Sequence, residues 1–91
     1  MRFEWDEEKR RSNIRRHRID FADAETVFAG ETITFVDERF DYGETRFLTF
    51  GLFVGEVVAI VHTETDEVIR VISVRKASND EEKTYFAEIR D

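Results

Sequence analysis

The first residues, "RFEW" (Arg2–Trp5), form a short strand candidate, after which the pattern of apolar and polar positions becomes helical. Asp6 is placed to cap a helix that covers roughly Glu7–His17. Ile14 is the only aliphatic residue in that helix. We therefore expect the first helix to lie at the surface rather than deep in the core.

The next pattern predicts a second helix and then four strands. Asp20 is placed as a cap, apolar residues recur at helical spacing as far as Phe28, and Gly30 is placed to end the helix. The period then changes to two, in "TITFVD" (Thr32–Asp37), "TRFLTF" (Thr45–Phe50), "EVVAIVHT" (Glu56–Thr63) and "EVIRVISV" (Glu67–Val74). Their short connections favour an antiparallel meander, because parallel neighbours need a crossover of about a dozen residues.

A last helix is predicted to begin at "SNDE" (Ser78–Glu81), which has the form of a capping box, and to reach about Arg90. The element order is then β-α-α-β-β-β-β-α. This order predicts one α+β domain over residues 1–91, with two N-terminal helices and one C-terminal helix packed on a small, mainly antiparallel sheet. The third and fourth long strands are apolar on both faces, as expected for interior strands.

Composition narrows the class of protein. With 91 residues, 41% hydrophobic and 38% charged, the chain suits one small folded domain. No stretch approaches the ~18 apolar residues of a transmembrane helix, and the start has no apolar core for a signal peptide. There is no Cys, no phosphate-binding or dinucleotide-binding glycine motif, and no HExxH metal motif. We expect a cytoplasmic protein without a cofactor or a metal.

The charge of the chain is unevenly distributed. The net charge of −7 argues against strong electrostatic adhesion to nucleic acid or to anionic lipid. Cations nevertheless concentrate in one short window of the first predicted helix. They are Lys9, Arg10, Arg11, Arg15, Arg16 and Arg18.

This basic helix has two interpretations. It is a solvated helix if its charges pair internally, since Asp6 precedes Arg10 by four residues, and Glu7 precedes Arg11. It is a contact face if they do not, because the later cations have no acidic residue three or four positions upstream. The candidate residues for binding RNA or a partner are Lys9, Arg10, Arg15, Arg16 and His17.

Polar side chains on the predicted strands and the last helix form a second set of candidates. These are Glu44, Arg46, His62, Arg70, Arg75, Lys76 and Tyr85. The arginines either pair with Glu44, Glu64 or Glu67 across neighbouring strands, or bind phosphates through their planar guanidinium groups. His62 is either a satisfied core histidine or a group that titrates near neutral pH at a site.

Strand parity separates two of these arginines. Arg70 and Arg75 are an odd number of residues apart, so an unbroken strand directs them to opposite faces of the sheet. A two-residue turn at 65–66 sets His62 opposite Ile69 and on the side of Arg75. A three-residue loop sets His62 opposite Arg70 instead. Both registers are compatible with the sequence.

Three segments resemble the BrnT family of toxins from type II toxin–antitoxin systems. They are "FEWDEEKRRSNIRRHRIDFADAETVF", "GETRFLTFG" and "RVISVRKASNDEEKTY", and together they span nearly the whole chain, from Phe3 to Tyr85. The resemblance implies a RelE-like fold and a metal-independent endoribonuclease that slows translation. It also implies a partner, a BrnA-like ribbon-helix-helix antitoxin, in a heterotetramer that represses its own operon and contacts DNA only through the antitoxin.

The resemblance also implies roles for individual residues. Metal-free RNA cleavage uses the 2′-hydroxyl as nucleophile and needs a base, cations near the phosphate and a proton donor for the leaving oxygen. Arg46, Arg70 and Arg75 are then the candidates for phosphate stabilisation. His62 or Glu44 is the candidate base. Lys76 or Tyr85 is the candidate donor, with base stacking as another role for Tyr85.

The chain departs from the family pattern at two places. Arg18 stands where the family usually has Gly after the histidine, and Asn79 and Asp80 stand where basic residues are common. Acidic groups suit a helix N-terminus but repel RNA. The alternative function is therefore a catalytically weak or inactive homologue that acts mainly as an antitoxin-binding regulatory module. A structural domain whose charges are only solvated pairs is the third possibility.

Overall fold

The computed structural model describes residues 1–90, which contain five strands and three α-helices. The strands are β1 (Arg2–Trp5), β2 (Thr32–Val36), β3 (Phe47–Phe53), β4 (Glu56–Glu64) and β5 (Val68–Lys76). The helices are α1 (Glu7–His17), α2 (Ala24–Ala29) and α3 (Asn79–Arg90), with a 3₁₀ turn (Phe21–Asp23) directly before α2. This order confirms the predicted α+β fold. Within the described residues no helix is long and apolar enough to cross a membrane.

The strands form one sheet in the order β1-β5-β4-β3-β2. The last four strands are the predicted antiparallel meander, and β1 adds to its edge parallel to β5. β3 extends three residues beyond its predicted end, to Phe53, because a tight turn at Val54 and Gly55 pairs Phe53 with Glu56. Alternation located every strand, while pairing with neighbours set where each strand ends.

Side-chain caps begin α1 and α3 where the sequence predicts, whereas the predicted cap Asp20 begins only the 3₁₀ turn, and α2 starts at Ala24 without a side-chain cap. The Asp6 carboxylate accepts hydrogen bonds from the backbone N–H groups of Glu8 (2.9 Å) and Lys9 (3.2 Å). Ser78 and Glu81 form the predicted reciprocal capping box, with Glu81 accepting from the Ser78 N–H at 2.9 Å.

The helices lie on both faces of the sheet and create two apolar clusters. The face packed against α1, the 3₁₀ turn and α2, here called the α1/α2 face, holds Phe21, Ala24, Val27, Val58, Ile60, Ile69, Val71 and Val74. The opposite face, here called the α3 face, holds Phe50, Val57, Ala59, Ala77 and Tyr85. Successive residues of β4 belong alternately to the two clusters. Residues paired across strands lie on the same face, so each β4 residue shows on which face its partner lies.

A β-bulge in β5 changes the predicted parity of that strand. Val61 pairs with Ser73, but the next residue of β4, His62, pairs with Val71, so Ile72 is an extra residue in β5. Arg70 pairs with Thr63, and Arg75 pairs with Ala59.

Because Thr63 and Ala59 lie on the same side of β4, both arginines lie on the α3 face. The predicted separation of Arg70 from Arg75 is therefore wrong. It assumed an unbroken strand, and the bulge shifts all later side chains by one position.

The connection between β4 and β5 differs from both predicted registers. The Thr65 N–H donates to the Val68 carbonyl oxygen at 2.9 Å, which closes a tight turn with Asp66 and Glu67 at its centre. His62 therefore pairs with Val71. Val71 belongs to the core of the α1/α2 face, so His62 lies on the face opposite the arginines.

Candidate functional site

Three arginines lie on the α3 face of the sheet, and one of them, Arg46, ends the 37–46 loop. Arg46 directly precedes β3, and the alternation of that strand gives Arg46 the same side as Leu48, which packs in the cluster of the α3 face. The guanidinium carbon of Arg46 lies 4.0 Å from the centre of the Tyr42 ring. The Arg46 Nε donates to the Glu44 carboxylate at 3.1 Å. Arg46, Arg70 and Arg75 therefore share one face, which we call the arginine face.

Arg75 is held by a carboxylate of α3. Its two terminal nitrogens donate to the two oxygens of Glu81, at 2.6 and 2.9 Å. The hydrogen bonds from Arg75 are the main reason why the pKa of Glu81 falls to about 2, and the same bonds raise the pKa of Arg75. Glu81 thus has two functions, since it also caps α3 through Ser78.

The loop between β2 and β3 contributes residues that were not among the predicted site residues. Asp37 is buried, with 1% of its side chain exposed, and accepts from Arg39 Nε at 2.8 Å and from the Tyr42 hydroxyl at 3.2 Å. The bonds from Arg39 lower the pKa of Asp37 to about 2. The charges of Arg39 and Asp37 also act on Arg75. The available signal was an Asp two residues before an Arg in the polar, aromatic run "DERFDYGETR".

The three arginines form ion pairs with carboxylates, as one of their two interpretations predicts. Most of the partners differ from those predicted. Arg46 pairs with Glu44 as predicted. Arg70 contacts Glu4 of β1 at 3.4 Å rather than Glu64 or Glu67.

Lys76 lies on the α1/α2 face, because it pairs in register with Val58. Its ammonium group is 3.3 Å from Glu56. Lys76 is therefore not placed with the arginines.

His62 lies in the core rather than at the arginine face. It is fully buried, its Nε2 is 2.7 Å from the Thr49 hydroxyl, and its Nδ1 has no hydrogen-bond partner within the described residues. Phe47 stacks on the imidazole, and Phe28 meets it edge-on. Burial lowers the pKa of His62 to about 4. His62 is therefore a core histidine, which is the first of its two interpretations. It does not reach a substrate bound on the α3 face.

Tyr85 is also a core residue. It is fully buried among the residues of the α3 face, and its hydroxyl donates to the Glu31 carbonyl oxygen at 2.8 Å. Burial raises the pKa of the phenol. Tyr85 thus lies on the same side of the sheet as the arginines but is buried between α3 and the sheet, and its hydroxyl fastens α3 beside the start of β2.

The basic helix α1 does not form the predicted pairs. Asp6 is used by the helix cap, while Arg10 donates to Glu7 and, at 2.8 and 2.9 Å, to Asp20. These bonds raise the pKa of Arg10 and lower that of Asp20. Arg10 is thus part of a structural ion pair that ties α1 to the 3₁₀ turn.

Asn13 attaches α1 to the sheet, a role that no pattern in the sequence predicts. It is the buried residue of α1, and its carboxamide bonds to the backbone of Val74 in β5. Lys9, Arg15 and Arg16 are exposed, and His17 is half-buried. Arg18 ends the helix with φ 61° and ψ 27°, the left-handed conformation that a glycine adopts without strain.

The fold and the site together define a small α+β protein with an arginine-lined sheet face suited to an anionic ligand. The family model described as "Ribonuclease toxin, BrnT, of type II toxin-antitoxin system" matches residues 5–81. The chain belongs to this BrnT family of ribonuclease toxins. A protein of this class has a protein antitoxin as its partner.

A solved structure agrees with this assignment. The 1.1 Å crystal structure of the Brucella abortus ribonuclease toxin BrnT is similar to this chain, with a TM-score of 0.62 and 31% sequence identity. The match covers 87% of this chain and 99% of the Brucella chain. No curated protein matches this chain in sequence. Within residues 1–90 no three His, Cys, Asp or Glu residues are grouped so that they could hold a metal ion.

Proposed function

We propose that this protein is a cytoplasmic, metal-independent endoribonuclease that cleaves RNA on its arginine face and so inhibits translation. The observation that carries the proposal is the bulge at Ile72, because it brings Arg70 to the same face as Arg46 and Arg75. Three guanidinium groups on one face supply fixed positive charge and paired donors for phosphate oxygens.

The reaction needs few protein groups. A base removes the proton of the 2′-hydroxyl, and the 2′-oxygen forms a bond to the adjacent phosphorus. The bond from phosphorus to the 5′-oxygen breaks, and the leaving oxygen takes a proton from water, since the face is open to solvent. The products are a 2′,3′-cyclic phosphate and a 5′-hydroxyl. Arg46, Arg70 and Arg75 stabilise the extra negative charge that builds on the phosphate oxygens.

Glu44 is the proposed base. Its side chain is half exposed, and it lies next to Arg46, to which it is hydrogen-bonded. Glu81 and Asp37 suit the role less, because each has a pKa of about 2 and is a weak proton acceptor. His62 and Lys76 lie on the other face of the sheet, and Tyr85 is buried between α3 and the sheet. They are left out of the proposed mechanism.

Phe40 extends the site along the same loop. It is 68% exposed, and its ring centre lies 5.8 Å from that of Tyr42. An exposed aromatic ring beside a phosphate-binding face is a suitable platform on which an unstacked RNA base can pack.

The test is cleavage of a single-stranded RNA by purified protein in EDTA. We expect Arg75→Ala and Arg46→Ala each to lower kcat/KM by about 100-fold or more, since each removes a donor to the developing charge. Arg11→Ala, which removes a charge from the exposed side of α1, is the matched control and should cleave like wild type. Cleavage that needs an added metal, or that survives both substitutions, overturns the proposal.

The partner in this proposal is a BrnA-like ribbon-helix-helix antitoxin. We propose that two toxins and two antitoxins form a heterotetramer that represses their operon, with the antitoxin making the DNA contacts. The net charge of −7 supports this division, because the toxin itself is poorly suited to bind DNA. Co-expression, mass measurement of the complex and a gel shift with operator DNA test it. Binding of the operator by the toxin alone contradicts it.

One observation favours a second candidate function. Each of the three arginines already has a carboxylate partner, namely Glu44, Glu4 and Glu81. A face whose cations are neutralised internally suits a weak or inactive nuclease that serves mainly to bind the antitoxin. Tight antitoxin binding by a wild-type protein that cleaves no RNA would select this function over the first.

A further inference from the structure

A cleft separates α1 from the bulged part of β5, outside the arginine face. Its volume is about 150 Å³, or roughly five water volumes. It is lined by Lys9, Ser12, Asn13, Arg16, His17, Ile72 and Ser73. The charged members are cations, and none of the lining residues is acidic. Three other clefts of the structure each include at least one glutamate.

The cations of this cleft are free to bind a ligand. Within residues 1–90, neither Lys9 nor Arg16 has a carboxylate within 4.0 Å, whereas Arg10 on the same helix has two. The residues Lys9, Ser12 and Arg16 recur at spacings of three and four, which directs them to one side of α1. The cleft therefore combines hydroxyl groups with two cations that have no carboxylate partner.

The orientation of this side of α1 is set by Asn13. Its bonds to Val74 hold the helix over β5 beyond the end of β1, which pairs only as far as Val71. The bulge at Ile72 lies directly below. The cleft is consequently built by the fold, and it is not a chance grouping of long side chains.

The cleft adjoins the arginine face. Ser73, which lines the cleft, pairs with Val61 on the same side of the sheet as Arg75. Two residues of a strand span about 7 Å. An RNA strand that crosses the edge of β5 can therefore place one phosphate at Arg75 and the neighbouring phosphate between Ser73 and α1.

We propose that this cleft binds a phosphate group of the RNA substrate next to the phosphate that is cleaved. Lys9 and Arg16 neutralise it, and the hydroxyls of Ser12 and Ser73 donate hydrogen bonds to its oxygens. The inference rests on the proposed function, since it assigns a second contact to the same substrate. An acidic segment of a protein partner is the competing ligand.

The test measures binding without cleavage. A 12-nucleotide RNA with 2′-O-methyl groups carries a fluorophore, and its affinity is determined by anisotropy at several salt concentrations. We expect the double variant Lys9→Ala/Arg16→Ala to bind about tenfold more weakly, with a salt slope smaller by about 1. Arg11→Ala/Lys83→Ala makes the same change of charge at two exposed positions outside the cleft, and should bind within twofold of wild type.

A second measurement separates this inference from the proposed function. A dinucleotide contains only the phosphate that is cleaved, so the Lys9→Ala/Arg16→Ala variant should cleave it like wild type while it cleaves the long RNA less efficiently. The cleft is not an RNA site if both double variants bind RNA equally. It is also not an RNA site if Lys9→Ala/Arg16→Ala weakens binding of the antitoxin but not of RNA. If wild type cleaves neither RNA but its binding still depends on the cleft, the proposed function fails and the binding site stands.

Discussion

Asn13 and Val74 form a two-pronged contact that closes the open edge of β5. The Asn13 Nδ2 donates to the Val74 carbonyl oxygen at 2.8 Å, and its Oδ1 accepts from the Val74 N–H at 3.1 Å. The carboxamide thus takes the place of a neighbouring strand where β1 has ended. Both backbone groups are buried, so they depend on this one side chain.

The first prediction is that Asn13→Ala strongly destabilises the protein. It leaves a buried N–H and a buried carbonyl of Val74 without partners, which costs about 3 kcal/mol of unfolding free energy. Arg11→Ala, a truncation on the exposed side of the same helix, is the matched control and should change the unfolding free energy little. Urea unfolding measures both. A loss below about 0.5 kcal/mol for Asn13→Ala would show that water replaces the contact.

Glu81→Gln should increase RNA binding while preserving the helix cap. Gln can still cap α3 through Ser78, but it no longer holds Arg75 through two charged oxygens. We expect RNA affinity to rise several-fold. Glu82→Gln makes the same change of charge one residue away and should have a smaller effect. If both variants gain equally, the gain comes from the net charge and not from the release of Arg75.

Arg18→Gly should stabilise the protein. Arg18 has φ 61°, a conformation that costs a residue with a Cβ roughly 1–2 kcal/mol, while glycine loses more backbone entropy on folding. The net gain should be up to about 1 kcal/mol, visible as a higher Tm. Arg18→Ala removes the same side chain but keeps the Cβ, so it should bring no gain. Equal gains for Gly and Ala would assign the effect to charge.

Gly51→Ala should destabilise the contact between α2 and β3. A Cβ at Gly51 would lie 2.5 Å from Val27 Cγ1 and 3.0 Å from Thr32 Cγ2, and Val27 is buried. Overpacking of this kind costs about 1–3 kcal/mol. At Gly30 a Cβ would lie at an ordinary 3.6 Å from the nearest atom, so Gly30→Ala is the tolerated control. Thermal unfolding of the two variants distinguishes them, and equal stability would contradict the close approach.

His62 should make stability fall between pH 6.5 and about pH 4. Its pKa is about 4 in the folded protein and 6.5 in an unfolded chain, so the unfolded state binds more protons across this range and is favoured as the pH falls. The loss should be on the order of 2 kcal/mol. His62→Gln does not titrate there, so its stability should vary less over the same range. Parallel pH profiles for both proteins would assign the change to the carboxylates.

Local patterns were sufficient to predict the strands, the helices and the caps of α1 and α3. Asp6 and the Ser78–Glu81 box act on backbone groups within three residues, so their effect is visible in the sequence itself. Alternation likewise located the meander, because short connections leave few other ways to pair four strands. The three segments that resemble the BrnT family are also short local patterns, and they predicted the family.

Contacts between distant residues could not be predicted in this way. His62 and Tyr85 looked like possible catalytic groups, but packing against Phe28, Thr49 and the α3 cluster removes both from solvent. The buried Asp37 acquires its role from a loop that folds back on it. Burial depends on which surfaces meet, and no local pattern specifies that.

The amino-acid sequence thus specified the elements, their order and the type of side chain available for chemistry, since these follow from periodicity and from short-range hydrogen bonds. The tertiary structure specified which side chains share a surface. One extra residue at Ile72 reverses the parity of β5 and unites Arg70 with Arg75. The bulge lies between Val71, where the pairing with β1 ends, and Val74, which bonds to Asn13. These contacts join residues far apart in the chain, so no local pattern shows them.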